Sequence, residues 1–218
     1  MRFDIHPFVR EHPKAVFVYF TGVSSRSDSF AMNRAGEALA RDLIVRTFGT
    51  GFSTSSPVTI KPDWNCVDPG NVSSSPTRVG SVTDAGFVEG WVKGMRVAGP
   101  TGFFIRESAC PSMWDALGCT ALCRRANIDL LDLSKRNVWE LKEGREVVFR
   151  KVRDGVVLRE VACMAPAAAD GSFLVNIAKL KSRVTGVSGA VSNLHGLCAR
   201  RFNEVLTPHD EIRKWYEP

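Results

Sequence analysis

"LVNIAKLKSRVTGVSGAVSNLHGLC" (Leu174–Cys198) sets the fold class. An apolar run with β-branched residues ends at Ala178, two lysines follow two residues apart (Lys179 and Lys181), and a Gly/Ser-rich stretch leads into Asn-Leu-His-Gly. A short apolar run bounded by turn-forming residues is the pattern of a buried strand, here Phe173–Ala178. Similar runs predict strands at Ala15–Phe20, Val58–Lys61, Gly102–Arg106 and Ile128–Leu133. Segments of helical period lie between them. "FAMNRAGEALARDLIVRTFG" (30–49) places Ala38, Leu39, Leu43, Val45 and Phe48 at apolar positions with Gly49 as a stop, and "TDAGFVEGWVKGMRVAG" (83–99) is entered at Thr83 or Asp84. The glycines of the second segment oppose helix formation by propensity. Two further helices are expected at Ser112–Arg125 and Thr185–Leu197. Strands alternating with helices define an α/β chain, a mainly parallel sheet with helices on both faces.

Residues 137–163 break the alternation. "VWELK", "EVVFRKV" and "VVLREVA" read as three short strands, the last two joined at Asp154-Gly155, so an inserted antiparallel flap is expected. Two stretches rich in Ser, Thr, Gly and Pro, Gly49–Pro57 and Val67–Val82, take no element, and the second has the length of a functional lid or a disordered segment.

The chain has 218 residues, 44% hydrophobic and 24% charged, which suits one α/β domain over residues 1–218 with a core of its own. Its apolar runs are strand-length, well short of the roughly 20 residues of a membrane span, so no membrane association is expected. "MRFDIHPFVREHPK" puts charges and prolines where a signal peptide has its apolar centre, which predicts a cytoplasmic protein. The net charge of +6 admits an anionic ligand or nucleic acid without choosing between them. Six cysteines (Cys66, Cys110, Cys119, Cys123, Cys163 and Cys198) without framework spacing are expected as free thiols. Gly-x-Gly-x-x-Gly, Gly-Lys-Ser/Thr phosphate loops, His-Glu-x-x-His and Gly-x-Ser-x-Gly are all missing, which removes the common nucleotide-fold and hydrolase readings.

In open α/β sheets ligands bind outside the carboxyl ends of the strands. The residues just after the predicted strands are Lys61-Pro62-Asp63-Trp64-Asn65, Arg106-Glu107-Ser108, Asp132 and Lys179-Leu180-Lys181. Three lysines in a partly desolvated crevice would attract a carboxylate or phosphate more strongly than in bulk water. A helix opening within Thr185–Ser192 would add free N–H groups for the same anion. Solvated strand-end lysines are the ordinary alternative. Glu107, Asp63 and Asp132 form a carboxylate set that suits Mg²⁺, proton transfer or pairing with the lysines. His195 suits a general base or a charge at a helix terminus. Cys119 and Cys123 lie one helical turn apart, but without a Cys-x-x-Cys pair they read as buried thiols, and no metal is expected. Nothing specifies a cofactor.

"VTIKPDWN", "SVTDAGFVEGWVKGM", "FFIRESA", "LLDLS" and "NIAKLKSRVTGVSGAVSNLHGL" together resemble, in order and spacing over Val58 to Leu197, the domain-of-unknown-function-362 family. Lys61, Pro62, Thr83, Glu107, Lys179, Lys181, Thr185, Gly186, Asn193 and Gly196 agree with that family's pattern. Asp63 replaces its Asn, Ala178 its Pro, Ser182 and Arg183 its Thr and His, and Ser192 its Lys. Some members carry a ferredoxin-like iron–sulfur module whose cysteine cluster has no counterpart here. Typical members continue further, so the resemblance implies a shortened version of a longer architecture.

The functional expectation is an enzyme, or a degenerate one, binding a small anionic metabolite. Lys61, Lys179 and Lys181 fix the anion, Asn65, Thr83 and Asn193 line and orient it, and Glu107 or His195 transfers a proton. The alternative, from "CRRAN", "LKEGREVVFRKVRDG" and "CARRFNE" with Trp139, Phe149 and Phe202, is a basic module for nucleic acid or an acidic protein. A homo-oligomer completing the cleft is the third expectation.

Overall fold

The computed structural model describes residues 1–16, 18, 20–21, 28–64, 82–107, 111–132, 140–154, 159–183 and 186–198. Four parallel strands form its centre: β4 (Val58–Pro62), β5 (Phe103–Glu107), β6 (Ile128–Asp132) and β9 (Phe173–Ile177), in the order β6-β5-β4-β9. Register pairs Ile60 with Ile105 and with Val175, and Ile105 with Leu130. A second sheet, unforeseen in the sequence, is antiparallel and ordered β2-β1-β3 from β1 (Arg2–Ile5), β2 (Ile44–Thr47) and β3 (Phe52–Ser53). A short helix, α1 (Pro7–Glu11), follows β1.

Side chains alternate across a strand, so Val58, Ile60, Phe103, Ile105, Ile128, Phe173 and Val175 share one face of the parallel sheet. They are buried in the main core with Val88, Trp91, Val92 and Met95 of α3 (Ala85–Ala98) and Leu122 and Cys123 of α5 (Cys119–Arg125). The other face carries the hairpin of β7 (Val147–Lys151) and β8 (Glu160–Met164), where Leu131 packs on the small core of Leu141, Val147, Ala162 and Met164. Arg106 points the same way and ties sheet to hairpin by donating to the Ala165 carbonyl at 2.5 Å and to Asp129 Oδ2 at 2.9 Å. The short helix α6 (Ala190–Leu194) also meets this face, its Ala190 carbonyl accepting from Asn176 Nδ2 at 2.8 Å.

Helix α2 (Ser29–Leu43) starts on Asp28, whose carboxylate accepts from the Ala31 N–H, and α3 starts on Asp84, whose carboxylate accepts from the Phe87 N–H. α3 ends at Gly99 with φ +115. The α3 glycines that propensity counts against the helix form its contact with α2. Gly86, Gly90 and Gly94 recur every fourth residue and so make one stripe. A Cβ at Gly90 would sit 1.8 Å from the Asn33 carbonyl oxygen and one at Gly36 of α2 2.2 Å from the Phe87 carbonyl oxygen. The two backbones touch, and small residues on both sides permit it.

Five expectations are corrected. The helix expected to Gly49 ends at Leu43, because Ile44–Thr47 leave it to pair with β1 (Ile5 with Ile44, Arg2 with Thr47), where β-branched residues fit better. In the expected strand Ala15–Phe20 the described residues form none, and Val16, Val18 and Phe20 are exposed; Phe17 and Tyr19 lie outside the described residues. Ser112–Arg125 is two helices, α4 (Pro111–Ala116) and α5, because Gly118 at φ +72 breaks the helical path. Of the flap's first strand the described residues Glu140–Lys142 are not extended, and the chain turns there into β7. The turn at Asp154, with φ +56, agrees with the expected hairpin, and Gly155–Leu158 lie outside the described residues. Finally, the helix expected from Thr185 starts at Ala190, because β10 (Lys181–Arg183) and β11 (Gly186–Ser188) pair as an antiparallel hairpin before it.

Gly90→Ala tests the packing of α2 on α3. On a solvated helix this change stabilises by up to about 1 kcal/mol. Here it is expected to destabilise by roughly 1–3 kcal/mol through overpacking. Equal or higher stability in chemical denaturation would show that the helices do not approach this closely.

Candidate functional site

β4 and β9 are neighbours, yet the segments that follow them leave for opposite faces. After β4 the chain reaches α3 on the main-core face, and after β9 it reaches α6 on the hairpin face. Such a divergence opens a crevice at the carboxyl ends of the two strands. Lys61, one residue before the end of β4, occupies it and is only 1% exposed. Its ammonium donates to Glu107 Oε2 at 2.5 Å, to the Pro62 carbonyl at 2.8 Å and to Asn193 Oδ1 at 2.9 Å. An ammonium has three hydrogens, so each has an acceptor. Glu107, the last residue of β5, is equally buried, and the Trp64 N–H approaches the same carboxylate oxygen at 3.4 Å.

Asn193 of α6 connects this pair to both strands. Its Nδ2 donates to the Lys61 carbonyl at 3.0 Å and to Asn176 Oδ1 at 2.8 Å, while its Oδ1 receives the lysine. The 3-10 helix His195–Leu197 then lays Gly196 across the ion pair. A Cβ there would lie 2.6 Å from Lys61 Cε and 2.8 Å from Glu107 Oε1, so no other residue fits without displacing the pair. Thr83, one residue ahead of the α3 cap, holds the crevice from below. Its Oγ1 donates to the Ile177 carbonyl at 2.7 Å and accepts from the Asp63 N–H at 2.9 Å, and its carbonyl accepts Trp64 Nε1 at 3.1 Å.

The strand-end lysines have different surroundings. Lys181 forms an ion pair with buried Asp63 at 2.8 Å. Lys179 is half-buried and has no ion-pair or hydrogen-bond partner among the described residues. The structure thus brings together Lys61, Glu107, Thr83 and Asn193, sets Lys181 on Asp63 beside them, and leaves Lys179 at the mouth of the same strand ends. His195 is half-buried next to Gly196 in the chain. Asn65 lies outside the described residues. Arg106 belongs to the hairpin contact, and Asp132 ends β6, with β5 between it and β4.

Asn176 escaped the sequence reading, and Gly196 entered it only as agreeing with the family's pattern, without its packing role. Asn176 left a signal, a polar residue inside an apolar strand; Gly196 left only its place in Asn-x-x-Gly, since close approach to a lysine 135 residues away has no local signature.

Parallel strands flanked by helices, with a polar cluster at their carboxyl ends, define an α/β protein of the open-sheet class. Residues 58–212 match the family model described as Domain of unknown function (DUF362), and the chain belongs to that family. Neither a curated protein nor a solved structure matches it. Among the described residues no helix is long and apolar enough to cross a membrane.

Removing one partner of a buried ion pair leaves an uncompensated charge, and Glu107→Gln is expected to destabilise by about 3–5 kcal/mol. Lys61→Met combined with Glu107→Gln should recover part of that loss, since it removes both charges. Additive losses in a double-mutant cycle by urea denaturation would contradict the coupling.

Proposed function

We propose that the chain binds a small anionic metabolite, a carboxylate or phosphate, at the carboxyl ends of β4, β5 and β9, as an enzyme or a degenerate one. The observation that carries this reading is the buried Lys61–Glu107–Asn193 cluster, which lies where open-sheet proteins hold their ligands. A buried ion pair stabilises a fold little better than apolar residues of equal volume, so its position in a crevice favours a functional role. Lys179 supplies the attraction, because its charge is not neutralised by a described residue. Lys61 acts from behind, its hydrogens directed at Glu107, Asn193 and Pro62, and so fixes the carboxylate and the amide at the base of the crevice. Lys181 contributes through its contact with Asp63. Glu107 or His195 moves the proton. The protein is cytoplasmic in this reading.

Native mass spectrometry against the denatured mass would show a retained anion directly. Lys179→Met is then expected to weaken binding of that anion, or of inorganic phosphate or a short dicarboxylate by calorimetry, roughly tenfold or more, about 1.4 kcal/mol. Its unfolding curve should match the wild type. Unchanged affinity would remove Lys179, and with it the anion corner, from the account. Nucleic acid is the other anion the basic composition admits, and a steep fall of affinity with salt would replace the small ligand with it.

A further inference from the structure

Cys163 of β8 and Cys198, just beyond the 3-10 helix, oppose each other as an antiparallel bridge pair. Directly opposed residues in such a pair have Cα atoms about 4.5–5.5 Å apart. A disulfide spans Cα separations of roughly 4.4–6.8 Å. Both thiols are free and half-buried, whereas Cys119 and Cys123 are free and buried in the main core. Arg150 of β7 places positive charge near Cys163.

From this geometry we infer that Cys163 and Cys198 are an oxidisable dithiol, a modification site whose disulfide ties the β7–β8 hairpin to the turn that lays Gly196 over Lys61 and Glu107. The inference stands apart from the anion reading, since neither cysteine belongs to the polar cluster. The thiol environments agree with the roles. Interaction with the facing Cys198 thiol, helped by Arg150, outweighs burial and lowers Cys163 to about 7, while its partner is pushed up. With Arg150 on the paired strand β7 beside it, Cys163 is the attacking thiolate and Cys198 the resolving thiol. A hydroperoxide is the oxidant. Sulfur of Cys163 attacks the peroxide, an S–O bond forms, the O–O bond breaks, and an alcohol or water leaves after taking up a proton. The sulfur of Cys198 then attacks the sulfenic acid, the S–S bond forms, the S–O bond breaks, and water departs with the Cys198 proton. Two thiols and one hydroperoxide give one disulfide, one alcohol or water, and one further water.

The test oxidises the reduced full-length chain with hydrogen peroxide under native conditions and maps its peptides by mass spectrometry. Expected are a loss of two hydrogen atoms, a Cys163–Cys198 linked peptide, and its absence from Cys163→Ser and Cys198→Ser. Amide exchange at residues 195–198 should slow on oxidation and recover with a thiol reductant. Iodoacetamide should alkylate Cys163 roughly tenfold or more faster than Cys119 or Cys123, whose thiols burial pushes up, with a rate rising through a pH of about 7. A bond to any other cysteine, sulfinic acid at Cys163 with Cys198 untouched, or unchanged exchange in the cross-linked chain would overturn the proposal, and each is read on the wild-type protein whether or not the variants fold.

Discussion

The ion pair of Lys61 and Glu107 is the constraint on which the centre of this molecule is arranged. Moving an ammonium and a carboxylate out of water costs several kcal/mol per ion, which only close geometry and complete hydrogen bonding offset. Each surrounding feature answers that requirement. Asn193 and the Pro62 carbonyl accept the remaining lysine hydrogens, Trp64 approaches the carboxylate, and Gly196 lets the backbone close over both. Thr83 fixes β4, β9 and the start of α3 in one network, so the ends of the strands cannot drift apart beneath the pair.

A second constraint lies at the far side of the main core, where α2 and α3 meet backbone to backbone. The stripe of Gly86, Gly90 and Gly94 sacrifices helix propensity for that approach, and Asp28 and Asp84 cap the two helices. α3 in turn presents Val88, Trp91, Val92 and Met95 to the sheet, so the position of Thr83 depends on a contact made by residues with no side chains.

The parallel strands were legible because β4, β5, β6 and β9 are apolar runs between helical segments, and tertiary context leaves such strands little choice. Their carboxyl-end residues were legible for the same reason. What failed was local. Ile44–Thr47 continues the apolar period of α2, and only pairing with Arg2–Ile5 turns it into a strand. Ala15–Phe20 has strong β propensity, but propensity needs a partner strand, and none of its described residues has one. At the site the sequence located Lys61, Glu107 and Asn193 and offered pairing of the carboxylates with the lysines, but did not show which lysine pairs with which carboxylate. Which lysine meets a carboxylate depends on strand order, and order is set by contacts far apart in sequence.

The hydrogen bonds between Asn193 and Lys61 join residues 132 positions apart. During synthesis β4 leaves the ribosome long before the segment that accepts its lysine exists. Without α6 the Lys61 ammonium would lack its Asn193 acceptor. The pairing of β9 with β4 closes most of that distance, so this corner depends on the sheet. A chain ending before Ala190 would keep the residues of all four parallel strands and still lack Asn193 and Gly196.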